Sequence, residues 1–153
     1  MAGQRHRVAV TDVRECYGSI APRVVELRLR AIGAPEDGID EVGSWLRAFR
    51  EAGVEGLPVG PVASAVLGDV VLATGDDALR SAGASFLRWV DDVVIFASDR
   101  RGRGVALDGL RAAWASIGLE MHEQKTVVLD DPWRLAVPLG RMSNVHPATS
   151  TLR

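Results

Sequence analysis

Asp91 and Asp92 stand side by side between two short apolar runs, Phe86, Leu87, Trp89 and Val90 before them and Val93 to Phe96 after. Adjacent carboxylates between apolar strands are costly, because crowding like charges makes one of them resist ionisation. A divalent cation removes that cost. Mg²⁺ takes oxygen ligands and commonly uses one or two carboxylates together with substrate phosphates. A third carboxylate must then come from elsewhere, and Asp12 closes an earlier apolar stretch that contains Val8 and Val10. Three carboxylates at neighbouring strand ends would hold two metal ions for in-line displacement at phosphorus. The pair alone is not diagnostic, since Asp76-Asp77 and Asp130-Asp131 also occur. The first reads as a solvated helix end and the second as a turn before Pro132. The three histidines, His6, His122 and His146, are too scattered for a zinc site. Cys16 reads as a small buried residue rather than a nucleophile.

The elements that would position these groups can be read from periodicity. Arg7 to Val13 suits a strand that delivers Asp12. Pro22 marks a helix start, and Val24, Val25, Leu27, Leu29 and Ile32 give it an apolar face until Gly33 and Pro35 stop it. A second helix spans about 38–52 with Ile39, Val42, Leu46 and Phe49 at helical spacing. Residues 53–61 hold three glycines and two prolines and form a loop. A helix follows over about 62–79, with Val66, Val70 and Leu72 or Ala73 inward. Residues 85–97 predict a β-hairpin with Asp91 and Asp92 at its tip. A helix over 105–117 uses Leu110, Trp114 and Ile117, and Gly118 ends it. Residues 119–121 and 126–129 predict two short strands around a turn at 122–124. The fold class expected is α+β, an antiparallel sheet with helices on one face.

The 153-residue chain is one domain's length, and 47% hydrophobic content supports a real core. Net charge is −2, so composition points to no nucleic acid. The basic runs 5–7 and 100–103 would either contribute to a local groove or lie in solvated loops. One cysteine forms no internal disulfide, and no apolar run or leader is long enough for a membrane or export signal. Together these give a cytoplasmic expectation and no membrane partner.

Four segments in order resemble reverse transcriptase motifs. Asp12 to Ile20 resembles motif A. Gly56-Leu57-Pro58-Val59-Gly60-Pro61 with Ser64 and Leu67 resembles motif B. Arg88 to Phe96, containing Val90-Asp91-Asp92, resembles motif C. Gly118-Leu119 with Glu123 to Thr126 resembles motif D. They cover roughly residues 8 to 130, and the Pro-Val-Gly-Pro form of motif B resembles bacterial abortive-infection and phage-defence enzymes. The resemblance implies the palm domain of an RNA-directed DNA polymerase with a ferredoxin-like or RRM-like core, spanning 1–131, and a C-terminal extension over 132–153. It implies two Mg²⁺ ions, with Mn²⁺ as a substitute, on Asp12, Asp91 and Asp92, the last a weaker ligand. The Val13 carbonyl would complete one metal shell. Lys125 falls where motif D places a proton donor to pyrophosphate. Tyr17 falls at the steric gate against a ribose 2′-hydroxyl, which makes an RNA polymerase palm fit less well. Leu57, Pro58, Val59 and Gly60 would floor the nucleotide site, and Trp89 would lie near the primer end in place of the usual tyrosine.

The implied partners are an RNA template, a DNA primer and dNTP. Only eleven residues precede Asp12 and about 23 follow motif D, so fingers and thumb are expected from a longer or split protein. Little templated synthesis is expected of these residues alone. A weak primer-grip trace lies at 137–140. The alternative function is a truncated, non-catalytic palm remnant that serves as a binding module.

Overall fold

A computed structural model describes residues 7–130. The expectations placed on 132–153, including the primer-grip trace, lie outside the described residues. The elements run β1 (Arg7–Thr11), α1 (Cys16–Ser19), α2 (Pro22–Ala31), α3 (Glu36–Glu51), α4 (Val62–Ser81), β2 (Ser85–Trp89), β3 (Asp92–Ala97), α5 (Arg100–Ser116) and β4 (Val127–Leu129). The sheet is antiparallel in the order β2-β3-β1-β4. The α+β expectation therefore holds, with the first strand in the middle of the sheet.

Strand alternation divides the sheet's two faces. Ala9, Val93 and Ile95 point into the main core, against Leu72 of α4 and Leu110 and Trp114 of α5. Val8, Val10 and Val94 form a second buried cluster with Phe96 and Leu129, away from the helices. A central strand apolar on both faces, as here, gives no clean alternation in sequence.

The helices differ from expectation in phase and length. Leu72 is buried as expected, but Val66 is 58% exposed, whereas Leu67, Val71 and Leu79 are buried. In α4 the apolar residues come in adjacent runs (Val66-Leu67, Val70-Val71-Leu72), so periodicity leaves the buried face ambiguous by one residue. In α2, Leu27 and Ile32 face outward, and Val25 carries the burial. The last helix starts at Arg100 rather than Val105, because Asp99 caps it by accepting from the Gly102 N–H at 2.7 Å. Arg100 and Arg103 thus open a helix and pair with Asp130, which also meets Arg7. The solvated-loop reading of this run is corrected accordingly. The expected strand at 119–121 reduces to one bridge, Val13 with Met121.

α4 and α5 pack closely at Gly75. A Cβ there would meet Trp114 Nε1 at 2.5 Å and Leu110 Cδ1 at 2.6 Å. Trp114 is fully buried and has no room to move aside. Overpacking costs about 1–3 kcal/mol, partly offset by the better helix propensity of alanine. Gly75→Ala is therefore expected to lower the Tm by several degrees in a thermal melt; an unchanged or raised Tm would contradict this packing.

Candidate metal centre

The sheet register brings the acidic residues to one end. Thr11 pairs with Val93 and Trp89 with Asp92, so one further step along β1 sets Asp12 level with Asp92. Both follow the alternation of Val10 and Val94 and belong to the face without helices. Asp91 sits in the two-residue turn between β2 and β3. A third segment closes in from the other side. His122 N–H donates to the Asp12 carbonyl at 2.9 Å, and Arg14 N–H donates to the Glu120 carbonyl at 2.8 Å. These two bonds flank the Val13–Met121 bridge and leave the Val13 carbonyl out of both. The turn that follows places Lys125 Nζ 2.6 Å from Asp12 Oδ2.

The electrostatics fit a shared acidic site. Asp91 has its pKa raised, first by burial and further by the Asp12 charge. Asp92 is raised by burial, then by Asp91 and Asp12. Lys125 is raised chiefly by its hydrogen bond to Asp12. Asp12 is 6% exposed, and its Oδ1 is buried without a hydrogen-bond partner. A buried carboxylate oxygen lacking a donor is what a cation ligand looks like before the cation is added. As the side chains stand, no three His, Cys, Asp or Glu groups among the described residues converge closely enough to cage a metal. The Lys125 ammonium balances the most buried of the three carboxylates. The donor set still fits a hard divalent cation: three carboxylates, one with an orphaned oxygen, plus a nearby backbone carbonyl.

The remaining expected site residues divide into exposed and anchoring ones. Trp89 is 80% exposed and Val59 85%, and Gly60 is also at the surface. Leu57 is 1% exposed and Pro58 is buried, so their side chains fasten the loop to the core rather than line a surface. Tyr17 is half-buried, its ring lying where a Cβ added at Gly68 of α4 would make ordinary van der Waals contact at 3.8 Å. Its hydroxyl pKa is raised by burial first, then by Cys16, Asp91 and Asp69. Burial pushes the Cys16 thiol up to about 12, in line with an inert core residue. A cleft of about 400 Å³ behind the 122–125 turn is lined by Arg14, Arg111, His122 and Glu123. It contains none of the three aspartates, and its charges are internally paired.

One buried ion pair escaped the sequence. Arg88 is 10% exposed at its side chain and forms a two-pronged ion pair with Asp76, also 11% exposed. Asp76 is therefore buried and paired, correcting its reading as a solvated helix end; only Asp77 is exposed. The signal was present: Arg88 alternates with Phe86 on the core side of β2, and Asp76 shares a helical face with Leu72 and Leu79.

No protein-family model matches the chain, and no curated protein matches it. Solved structures do. The chain is similar to apo telomerase from Candida tropicalis truncated from its C-terminal domain, at 15% identity and a TM-score of 0.60. The likeness covers 81% of this chain and 30% of that one. It shows that the chain has a palm-like fold similar in shape to part of that protein.

Proposed function

We propose that this chain is the palm of an RNA-directed DNA polymerase, part of a longer or split enzyme that adds dNTPs to a primer 3′-hydroxyl on an RNA template. The observation that carries it is the placement of Asp12, Asp91 and Asp92 at the same end of the sheet by strand register, with a buried orphaned oxygen on Asp12, in a fold like that of a telomerase. Asp12 and Asp91 would hold the Mg²⁺ or Mn²⁺ ions, Asp92 would assist, and the Val13 carbonyl would contribute a further oxygen. When bound, such ions activate a hydroxyl nucleophile and neutralise a leaving pyrophosphate. The chain's own residues do the rest. Tyr17, wedged against α4, sets a wall for the sugar 2′ position. Exposed Trp89 offers a flat surface beside the carboxylates for a terminal base. Lys125 carries a full positive charge, but its contact with Asp12 makes it a poorer acid; a proton-donor role requires Nζ to leave that carboxylate. The motif B lineage and a cytoplasmic setting belong to this reading.

A second reading is a non-catalytic palm that binds a partner, and the Lys125–Asp12 pair favours it, since an ammonium there stands in for a cation. Thermal stability separates the two. Because their pKa values are raised in the fold, Asp91 and Asp92 hold protons that the unfolded chain releases above the ordinary 3.8. Their contribution to stability is therefore greatest below that value and falls as pH rises through the raised values. Near pH 7 a cation should relieve this loss. Saturating the site tenfold over its Kd would add about 1.4 kcal/mol, or roughly 3–6 °C in Tm. The expected result is such a rise with Mn²⁺ or Mg²⁺ in the wild type and its loss in Asp91→Asn. A Tm that ignores the cation in both proteins would favour the non-catalytic reading.

A further inference from the structure

The hairpin that carries Asp91 and Asp92 has an unusual turn. Trp89 pairs with Asp92, which leaves Val90 and Asp91 as its two central residues. Val90 has φ 56. Positive φ at the first central residue alone is the pattern of a type II′ turn, where glycine is the usual occupant. A β-branched residue in the left-handed region is an outlier that its surroundings must enforce. Core packing of the valine side chain does not do so, because Val90 is 42% exposed.

The neighbour that grips this turn is Arg88. Its Nη1 donates to the Val90 carbonyl at 2.9 Å. Its Nε and Nη2 donate to the two oxygens of Asp76 at 2.8 and 2.9 Å, and Nη2 also lies 2.7 Å from Asp69 Oδ1. The guanidinium is planar and rigid, so fixing two nitrogens on α4 fixes the direction of the third. We infer that Arg88 is a positioning residue: it ties the Val90 carbonyl to Asp69 and Asp76 of α4, holds Val90 left-handed, and so aims Asp91 and Asp92 towards Asp12. The aim of the carboxylates is then set by the same helix that backs Tyr17 at Gly68. The functional part of this inference rests on the proposed cation role of the carboxylates; the part concerning the turn does not.

Arg88→Lys keeps a charge for Asp76 but cannot span both α4 and the Val90 carbonyl. Val90→Gly takes the left-handed conformation without strain. Two readouts are needed: the intraresidue amide–Hα NOE of residue 90, strong only at positive φ, and Mn²⁺ affinity measured by electron paramagnetic resonance. In Arg88→Lys the strong NOE should be lost and Mn²⁺ should bind about tenfold more weakly, as when outer-shell supports of metal ligands are removed. Arg88→Lys with Val90→Gly should recover most of the affinity, which a general loss of structure would not allow. A retained NOE in Arg88→Lys overturns the inference, and so does failure of Val90→Gly to restore binding once lost. If the wild type binds no Mn²⁺ yet Arg88→Lys loses the NOE, the cation reading falls and Arg88 stands as the holder of the turn.

Discussion

Asp76→Ala is expected to destabilise the protein by about 3–5 kcal/mol, because it leaves a guanidinium buried beside an empty place. Arg88 is 10% exposed, and two of its nitrogens donate to the two oxygens of Asp76. Asp69 remains 2.7 Å away, but it is 69% exposed and water screens it. Against a typical total stability of about 5–15 kcal/mol, such a loss leaves a domain that is marginal at best. Equilibrium urea unfolding measures it, and Asp77→Ala is the control. Asp77 pairs with Arg80 at the surface, with both side chains more than 60% exposed, so its removal should change little. The double replacement Asp76→Leu with Arg88→Met should recover much of the stability, since the cost of the single change is an unpaired charge rather than a lost attraction. An Asp76→Ala protein as stable as the wild type would mean that Arg88 reaches water.

Gly56→Ala should be comparably severe, for a steric reason. Gly56 has φ 65, and a Cβ on it would collide with the Tyr17 carbonyl oxygen and lie 2.6 Å from that of Gly18. Both obstacles are backbone and cannot rotate away. The next residue, Leu57, donates its N–H to the Tyr17 carbonyl at 2.8 Å and is itself buried, so the loop cannot simply lift off. Strain at positive φ and the clash together should cost about 3 kcal/mol, or roughly 6–12 °C in Tm. Gly60→Ala is the comparison. Gly60 also has positive φ, but a Cβ there meets nothing within 4 Å, so only the strain term applies. Equal Tm losses in the two variants would show that close approach to Tyr17 contributes nothing.

The hairpin and its acidic tip were legible because a short period-two run, a turn and a second run leave few alternatives. Asp12 was legible as a strand end, and Lys125 through the resemblance of its segment to motif D. What stayed hidden depends on the third dimension. The partnership of Arg88 with Asp76 spans a helix and a strand, and local patterning shows each charge without its mate. The buried face of α4 was misplaced because its apolar residues are too dense for a phase. The start of α5 was missed because Gly102 and Gly104 resemble a loop, and only the Asp99 cap reveals otherwise. That Leu57 is also the buried peg of its loop was not legible from its segment's resemblance to motif B.

The placement of β1 has a consequence for how the chain is made. Of the four described strands it is made first, yet it lies between β3 and β4, and Asp12 meets Lys125 across 113 residues. Helices α2 and α3 can pair from local contacts soon after they emerge. The sheet cannot close until its last strand exists, and long-range closure is the slow part of folding. The acidic cluster is therefore a late product of folding. A nascent chain stopped before residue 91 lacks two of its three carboxylates, and one stopped before 125 lacks the lysine that balances them.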